Sequence, residues 1–477
     1  MPGDPRGTTP RWRQQGLLIY GPALASETPP RSIWQGDLAP ITIGVVVLIT
    51  LNAFEAIGSI TAMPIVASEL GMLADYTWAF NAYTVASLFS MVVSGLWGDA
   101  RGPRGPLVAG ITCFFLGSVT CGLAASLPLL VIGRGLQGMG GGAVMVTAYL
   151  IIARVYPESL RPRAFSALSA AWMLPSIMGP FIAGWLADSL SWRFVFWIVP
   201  IFIIPVAVLL VPRIGRYQGG EPHPKWRSRL LAGAVATIGL FLLQDGALRL
   251  SVFGYAEAVL GVVILLLAVR KVLPTGALSL RRGLPATVMM RAFFAASYFS
   301  AEVFIPLALV QIRGVSLTLA GLTIGVSAVA WAGGSYLQSR LSATKDRSTT
   351  VRAGAVVIAI AIMTVPLSLN DSWPAWTAGV SWIIASAGMG LAIPSISVQV
   401  FRLSPQQDQG VNSAAIQIAD AIGFSVGVAV LGIGYAVAVA HGGATAGTFT
   451  GLWLASAAIA VVAIGLAGRM RPRAATQ

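Results

Sequence analysis

The chain has 477 residues, of which 56% are hydrophobic and only 10% charged, and it carries a formal net charge of +14 with a mean hydropathy of +0.79. No soluble globular class has this composition, and the basic residues are dealt out over many short loops instead of gathering on one face. A nucleic-acid-binding domain is therefore excluded in favour of a polytopic helical membrane protein. Arginine outnumbers lysine 28 to 3, a bias that points to a GC-rich bacterial genome.

Residues 1–39 are polar and Pro-rich, carry Arg6, Arg11, Arg13 and Arg31, and lack the apolar core and cleavage site of a secretory signal. A disordered cytoplasmic tail is expected there, with the first span acting as an uncleaved anchor. Segments long enough to cross about 30 Å of hydrocarbon follow at 40–63, 77–97, 107–125, 127–153, 164–187, 193–212, 230–245, 252–269, 285–311, 317–339, 353–369, 375–399, 412–438 and 448–468. With the loops assigned to alternate sides, 26 of the 31 basic residues fall on one side, only Arg193, Arg249 and Arg313 on the other, and Arg134 and Arg291 within spans. That asymmetry predicts both termini in the cytoplasm. Removing 230–245 and 252–269 together would leave the charge rule satisfied, but each would be about 24–27 Å long as a helix, enough for a thin bilayer. The expectation is therefore fourteen spans.

The expected organisation is a cytoplasmic N-terminal tail at 1–39, a six-helix half at 40–212 and a cytoplasmic linker with an inserted two-helix hairpin at 213–283. A second six-helix half at 284–468 and a cytoplasmic tail at 469–477 complete it. Two six-helix halves are the plan of a secondary transporter that handles substrate between them near the midplane.

In chain order, the first span places Glu55 on one stripe with Asn52 and Ser59, at spacings of three and four. Glu55 lies about 12 Å below the outer surface. The loop after the second span reads Gly95-Leu-Trp-Gly-Asp99-Ala-Arg101-Gly102-Pro-Arg104-Gly-Pro-Leu107. It is tight enough to need glycine, and a carboxylate at a helix end can latch onto an arginine or another helix's N-terminus. The fourth span contains Val131 to Val144, VIGRGLQGMGGGAV, in which Arg134 sits about 10 Å deep among glycines. An intramembrane arginine faces protein or water and needs an acidic partner, and Glu55 lies at a matching depth. The glycines suit close helix packing. In the fifth span, Gly179-Pro180 and Gly184 combine a helix bend with small packing residues. The ninth span holds Glu302, about 12 Å below the outer face, with Tyr298 one turn away on the same side. Asp420 lies near the midplane of the thirteenth span, close to Gln417. Arg291 and Glu257 lie near enough to span ends to snorkel and receive no role.

Other chemistries find no support. Cys113 and Cys121 lie about 12 Å apart along one predicted helix, too far for a disulfide. His223 and His441 have no ligand cluster near them, so no metal site is expected. None of the three lysines follows a glycine, so the phosphate-cradling loop is absent. No cofactor, enzymatic activity, nucleic-acid partner or required protein partner is expected.

The loop at Gly95, Asp99, Gly102, Arg104 and Leu107 resembles the signature GxLaDrxGrkxxl of the major facilitator superfamily, departing from it at Trp97, Ala100 and Pro103. Leu130, Arg134, Gln137, Gly138 and Gly140 resemble its fourth-helix pattern, lxxxRxxqGxga. Gly179, Pro180 and Gly184 resemble the antiporter pattern GPxxGG, with Ala183 in place of one glycine. Ser191-Trp-Arg-Phe-Val-Phe196 and the two extra central helices resemble the fourteen-helix drug:proton antiporter branch. The resemblance covers residues 50–200 well, and the C-terminal half mainly in layout and in Gly423 to Gly432. It implies an all-α major facilitator fold of two six-helix halves plus two inserted helices. It also makes Glu55 and Arg134 neighbours, because helices one and four line the cavity of the N-terminal half.

The expected function is proton-coupled export of amphipathic small molecules or drugs by alternating access in a bacterial cytoplasmic membrane. Glu55 with Arg134, Asp420 and Glu302 are the expected proton-linked groups, in that order, and Asn52, Ser59, Gln137, Tyr298 and Gln417 the expected cavity lining. Gly95, Asp99, Gly102 and Arg104 are expected to gate. Burial disfavours an ionised carboxyl and a neighbouring guanidinium favours it, which suits a group that exchanges its proton. Negative charge among aromatic and methionine side chains suits cationic or zwitterionic ligands. A lipid or glycolipid exporter, and a non-transporting sensor that kept the fold, are the alternatives.

Overall fold

The computed structural model describes residues 32–71, 73, 75–157, 160–217, 226–249, 251–271, 273–341, 346–404 and 409–471. Most of the expected N-terminal tail, with Arg6, Arg11, Arg13 and Arg31, the last residues of the C-terminal tail, and His223 lie outside the described residues.

Among the described residues, fourteen helices are long and apolar enough to cross a membrane, in the number and order expected. They are α1 (Leu38–Glu69), α2 (Trp78–Arg101), α3 (Arg104–Gly122), α4 (Leu127–Val155), α5 (Arg161–Ser189), α6 (Arg193–Ile214) and α7 (Trp226–Leu248). The second set is α8 (Val252–Val269), α9 (Leu284–Arg313), α10 (Leu317–Leu341), α11 (Arg347–Leu369), α12 (Thr377–Leu403), α13 (Gln409–Ala440) and α14 (Ala446–Met470). A bilayer offers no water to an open backbone, so each span closes its own hydrogen bonds as a helix. Starts are fixed locally where the sequence supplies a cap: Ser251 accepts from Gly254 N, Ser316 from Leu319 N, and Thr445 forms a reciprocal box with Thr448.

Lipid tails are as apolar as leucine, so helices associate here through close backbone approach. The glycine run of α4 does this against α3: a Cβ on Gly117 would lie 2.7 Å from Gly133 O, and one on Gly110 would lie 2.9 Å from the Ala143 Cβ. The outward faces stay apolar, with Ile201, Phe202 and Val208 of α6 and Val252, Phe253 and Val259 of α8 all exposed. Those faces suit contact with lipid.

The hairpin α7–α8 is closed by Gly239 and Gly261, where a Cβ on Gly239 would meet Leu265 N at 2.7 Å. It docks on α2 through Trp78 and Phe241, whose rings are 5.6 Å apart. Leu240 and Leu243 pack in one cluster with Val85 and Leu88 of α2 and with Ala415, Ile416 and Ala419 of α13. The hairpin thus touches helices that precede it and helices that follow it.

The first six and last six helices meet at the end of the bundle that holds Asp188. Asp188 of α5 accepts hydrogen bonds from Thr318 N at 2.8 Å and Thr318 Oγ1 at 2.5 Å, capping the start of α10. Tyr76, just before α2, donates to Val303 O of α9 at 3.0 Å, and its ring packs on Phe304 and Tyr435.

Candidate functional site

Among the described residues, the most fully buried ion pair joins Glu55 of α1 to Arg134 of α4, with side-chain exposures of 1% and 2%. Arg134 is held on every side: its Nε donates to Ala79 O at 2.7 Å, its Nη1 to Glu55 Oε1 and to Gln137 Oε1 at 2.9 Å, and its guanidinium lies 4.9 Å from the Tyr83 ring centroid. Gln137 donates onward to Ser118 of α3 at 3.0 Å. Tyr83 donates to Asn52 Oδ1 at 3.1 Å, which ties the Glu55 stripe to the same network. Ser59 instead bonds to its own helix at Ala56 O and is fully buried. The glycines explain how such large groups fit. A Cβ on Gly141 would strike the Tyr83 hydroxyl and Asn52 Oδ1, and one on Gly138 would strike the Tyr83 carbonyl. Glu55 Oε2 is buried with no hydrogen-bond partner, so this carboxylate keeps one acceptor site in reserve.

In the last six helices the charges are arranged differently. Asp420 of α13 pairs bidentately with Arg291 of α9, Nε to Oδ1 at 2.7 Å and Nη2 to Oδ2, and the side chains keep 23% and 13% exposure. Arg291, assigned no role from sequence, is therefore the partner of Asp420. The signal was present in part, because an embedded charge needs an opposite one, although Arg291 lies nearer its span end than Asp420 does. Tyr149 of α4 stands close enough to interact electrostatically with both, and Gln417 is half-buried one turn from Asp420. Glu302 accepts from Trp382 Nε1 of α12 at 3.0 Å. Tyr298 stacks on Trp382 with ring centroids 4.5 Å apart and shares a 2.5 Å hydrogen bond with Ser386.

In the tight loop, Gly102 closes α2 at φ +87°, a conformation that favours glycine, and its N–H bonds to Gly98 O at 2.9 Å. Asp99 lies 3.5 Å from Arg154 of α4, and the same guanidinium donates to the Asp99 carbonyl at 3.2 Å. Arg104 lies over Gly215 at the end of α6, while Gly95 makes only ordinary contact with Val146. On α5, Gly184 and Pro180 lie against α10. A Cβ on Gly184 would approach Leu317 O to 2.6 Å, and one on Gly321 would meet the Pro180 carbonyl. Gly179 faces Phe54 of α1 at ordinary distance. The Ser191–Phe196 stretch also has a physical role. Trp192 donates to Glu69 at 2.7 Å, Arg193 lies 4.2 Å over the Trp192 ring, and Arg193 donates to Ala124 O, which cinches α1, α3 and α6.

The sequence profile of the Major Facilitator Superfamily matches residues 45–428. The chain belongs to this superfamily. An uncharacterized superfamily transporter of Mycobacterium tuberculosis is 30% identical over 413 residues, 78% of this chain and 56% of its own, so this chain spans little more than half the length of that relative. A multidrug transporter protein of Bacillus subtilis is 28% identical, covering 82% of this chain and 74% of the relative. A probable actinorhodin transporter of Streptomyces coelicolor is 30% identical, covering 78% and 68%. Among solved structures, a peptide transporter of the POT type superposes with a TM-score of 0.69 at 14% identity, over 96% of this chain and 98% of that one, a likeness of fold. The chain is a multi-pass membrane protein of this superfamily, with a multidrug transporter protein and a probable actinorhodin transporter among its relatives.

Proposed function

We propose that this transporter exports amphipathic, cationic or zwitterionic small molecules in exchange for protons, by alternating access of two halves, residues 40–212 and 284–468, with 213–283 as linker and inserted hairpin. The observation that carries the reading is the Glu55–Arg134 pair, sealed at 1% and 2% exposure with Glu55 Oε2 unpartnered. A buried carboxylate locked to a guanidinium is costly to maintain unless its charge is used, and a spare acceptor oxygen is where a proton can arrive. The halves touch at the Asp188 end, while Tyr149, Arg291 and Asp420 keep exposure nearer the Asp99 end. This arrangement suits a state closed on one side and open on the other. The charge asymmetry of the loops supports a reading with the Asp99 end and both termini on the cytoplasmic side of a bacterial inner membrane. The names of the relatives, a multidrug transporter and a probable actinorhodin transporter, support a small-molecule cargo.

The decisive experiment is transport in proteoliposomes with an imposed pH gradient, over dyes, drugs and labelled lipids. Drug movement that collapses with the gradient is expected. Lipid movement alone would replace this cargo with lipid, and no movement of any probe would reject transport. Orientation is checked by cysteine labels at Phe253 and Ser279, which report opposite sides if α8 spans the bilayer.

A further inference from the structure

The segment that joins the inserted hairpin to the second half, residues 270–283, carries Arg270, Lys271, Arg281 and Arg282, and no acidic residue occurs between Glu257 and Glu302. All four residues are exposed, and none of them forms an ion pair among the described residues. A basic loop is ordinary at the end of a span, so the count of charges decides nothing by itself. What sets this loop apart is that it folds into a defined shape.

Leu273 and Ala277 are buried in the cluster that also holds Leu265 of α8, Val288 of α9 and Ala415 of α13. Between them and the next helix the backbone bonds to itself, with Ala277 N donating to Pro274 O at 3.0 Å and Leu280 N to Ala277 O at 2.9 Å. The far end is tied to α14: Gly283 N donates to Arg469 O at 2.8 Å, and Arg469 Nη1 to Leu280 O at 3.4 Å. Gly276, at φ +89°, leaves room for Arg281, since a Cβ there would lie 2.5 Å from Arg281 Cδ. Leu280 takes a left-handed φ of +51°, uncommon for a bulky residue and held here by the surrounding bonds. The result is a cleft of about 480 Å³, within the range of small-molecule pockets, lined by Arg270, Thr275 and Arg281 and by the apolar Leu273, Pro274 and Leu278.

The cleft adjoins the end of α8, the least buried of the fourteen spans. Val259, Val263 and Leu266 of that helix are exposed and lie at spacings of four, three and four on one stripe that ends at Arg270. An apolar stripe that runs into two unpaired guanidinium groups matches a molecule with hydrocarbon tails and an anionic phosphate head. We propose that this cleft binds an anionic phospholipid, with the phosphate between Arg270 and Arg281, the Thr275 hydroxyl donating to a phosphate oxygen, and an acyl chain along the exposed stripe of α8. Free phosphate would satisfy the two arginines but leave that stripe uncovered, which is why lipid is the occupant. Because the loop also touches α9, α13 and α14, a bound lipid would fasten the hairpin to the second half. The site is independent of what the transporter carries and of how transport is driven.

The test is native mass spectrometry of the detergent-purified full chain titrated with phosphatidylglycerol, with phosphatidylcholine, and with phosphatidylglycerol in the presence of excess sn-glycerol 3-phosphate. Phosphatidylglycerol is expected to bind about tenfold more tightly than phosphatidylcholine and to resist the soluble phosphate. Arg270→Gln combined with Arg281→Gln is expected to weaken phosphatidylglycerol by about tenfold or more. Arg270→Lys combined with Arg281→Lys keeps the charge and is expected to retain the preference for the anionic lipid, which preserves the comparison if the glutamine pair fails to fold. Arg227→Gln with Arg229→Gln removes the same charge from exposed positions at the start of α7 and is expected to leave affinity within about twofold. Equal binding of the two lipids, an equal loss in both glutamine pairs, or displacement by sn-glycerol 3-phosphate would overturn the site.

Discussion

The two six-helix halves carry embedded charge in opposite ways. In the first, Arg134 is clamped by Glu55, Gln137, the Ala79 carbonyl and the Tyr83 ring, and neither partner of the ion pair exceeds 2% exposure. In the second, Arg291 and Asp420 keep 13% and 23%, and among the described residues Glu302 is met by the neutral indole of Trp382 and by no cation. A sealed pair has paid its desolvation in full and is intolerant of change, whereas an accessible pair can trade its partner for water or ligand. The comparison teaches that the same kind of ion pair is sealed in one half and left partly accessible in the other.

The largest expected effect tests the sealed side. Arg134→Ala leaves Glu55 buried without its countercharge and is expected to destabilise the protein by about 3–5 kcal/mol, read as a lowered unfolding temperature in detergent. Glu55→Gln keeps the size and most hydrogen bonding of the side chain, so the protein is expected to fold and insert while gradient-driven export stops. Undiminished proton-coupled export by a well-expressed Glu55→Gln protein would remove Glu55 from the mechanism.

Arg291→Ala sharpens the contrast. Because solvent reaches the Arg291–Asp420 pair, the loss is expected to be only about 1–2 kcal/mol after screening. If Arg291→Ala lowers the unfolding temperature as much as Arg134→Ala, the two pairs are equivalent and the comparison collapses.

Much of this was legible in the sequence, and the gaps have a common cause. The fourteen spans follow from hydropathy, because backbone in lipid has no alternative to the helix. Glu55 and Arg134 were readable as a pair because each needs an opposite charge at the same depth. The same rule applied to Arg291 and Asp420, yet Arg291 lay close enough to a span end for snorkelling to satisfy it. Trp382 as the partner of Glu302, and Thr318 as the partner of Asp188, depend on which helices are neighbours. Depth is a property of one segment, and adjacency is not.

A fourth prediction concerns the contact between the halves. Gly184→Ala places a Cβ about where Leu317 O and the Thr318 Cα now sit, at 2.6 and 2.7 Å, so α5 and α10 must separate. Spin labels on cysteines at the exposed positions Leu190 and Leu319, with Cys113 and Cys121 replaced, are expected to report a longer distance in the variant. An unchanged distance distribution would mean that this seam is not what holds the halves together at the Asp188 end.

The smallest effect is expected at the tight loop. Asp99 is 52% exposed and lies 3.5 Å from Arg154, a geometry in which water screens most of the attraction. Its removal should barely change stability, and Asp99 is far from the embedded charges, so ligand affinity should hold. What the contact does is join the end of α2 to the end of α4, the helix that carries Arg134, across a turn fixed by Gly102. Under the alternating-access proposal, breaking that join is expected to alter the relative energy of the two access states without touching either ion pair. Asp99→Asn is therefore expected to slow transport by a few-fold with ligand affinity within about twofold of wild type, since a lost surface pair is worth about 1 kcal/mol at most. Transport rates and binding constants measured on the same preparation separate the two. A fall in affinity proportional to the fall in rate would place Asp99 in ligand binding and extend the accessible chemistry of the second half to the first.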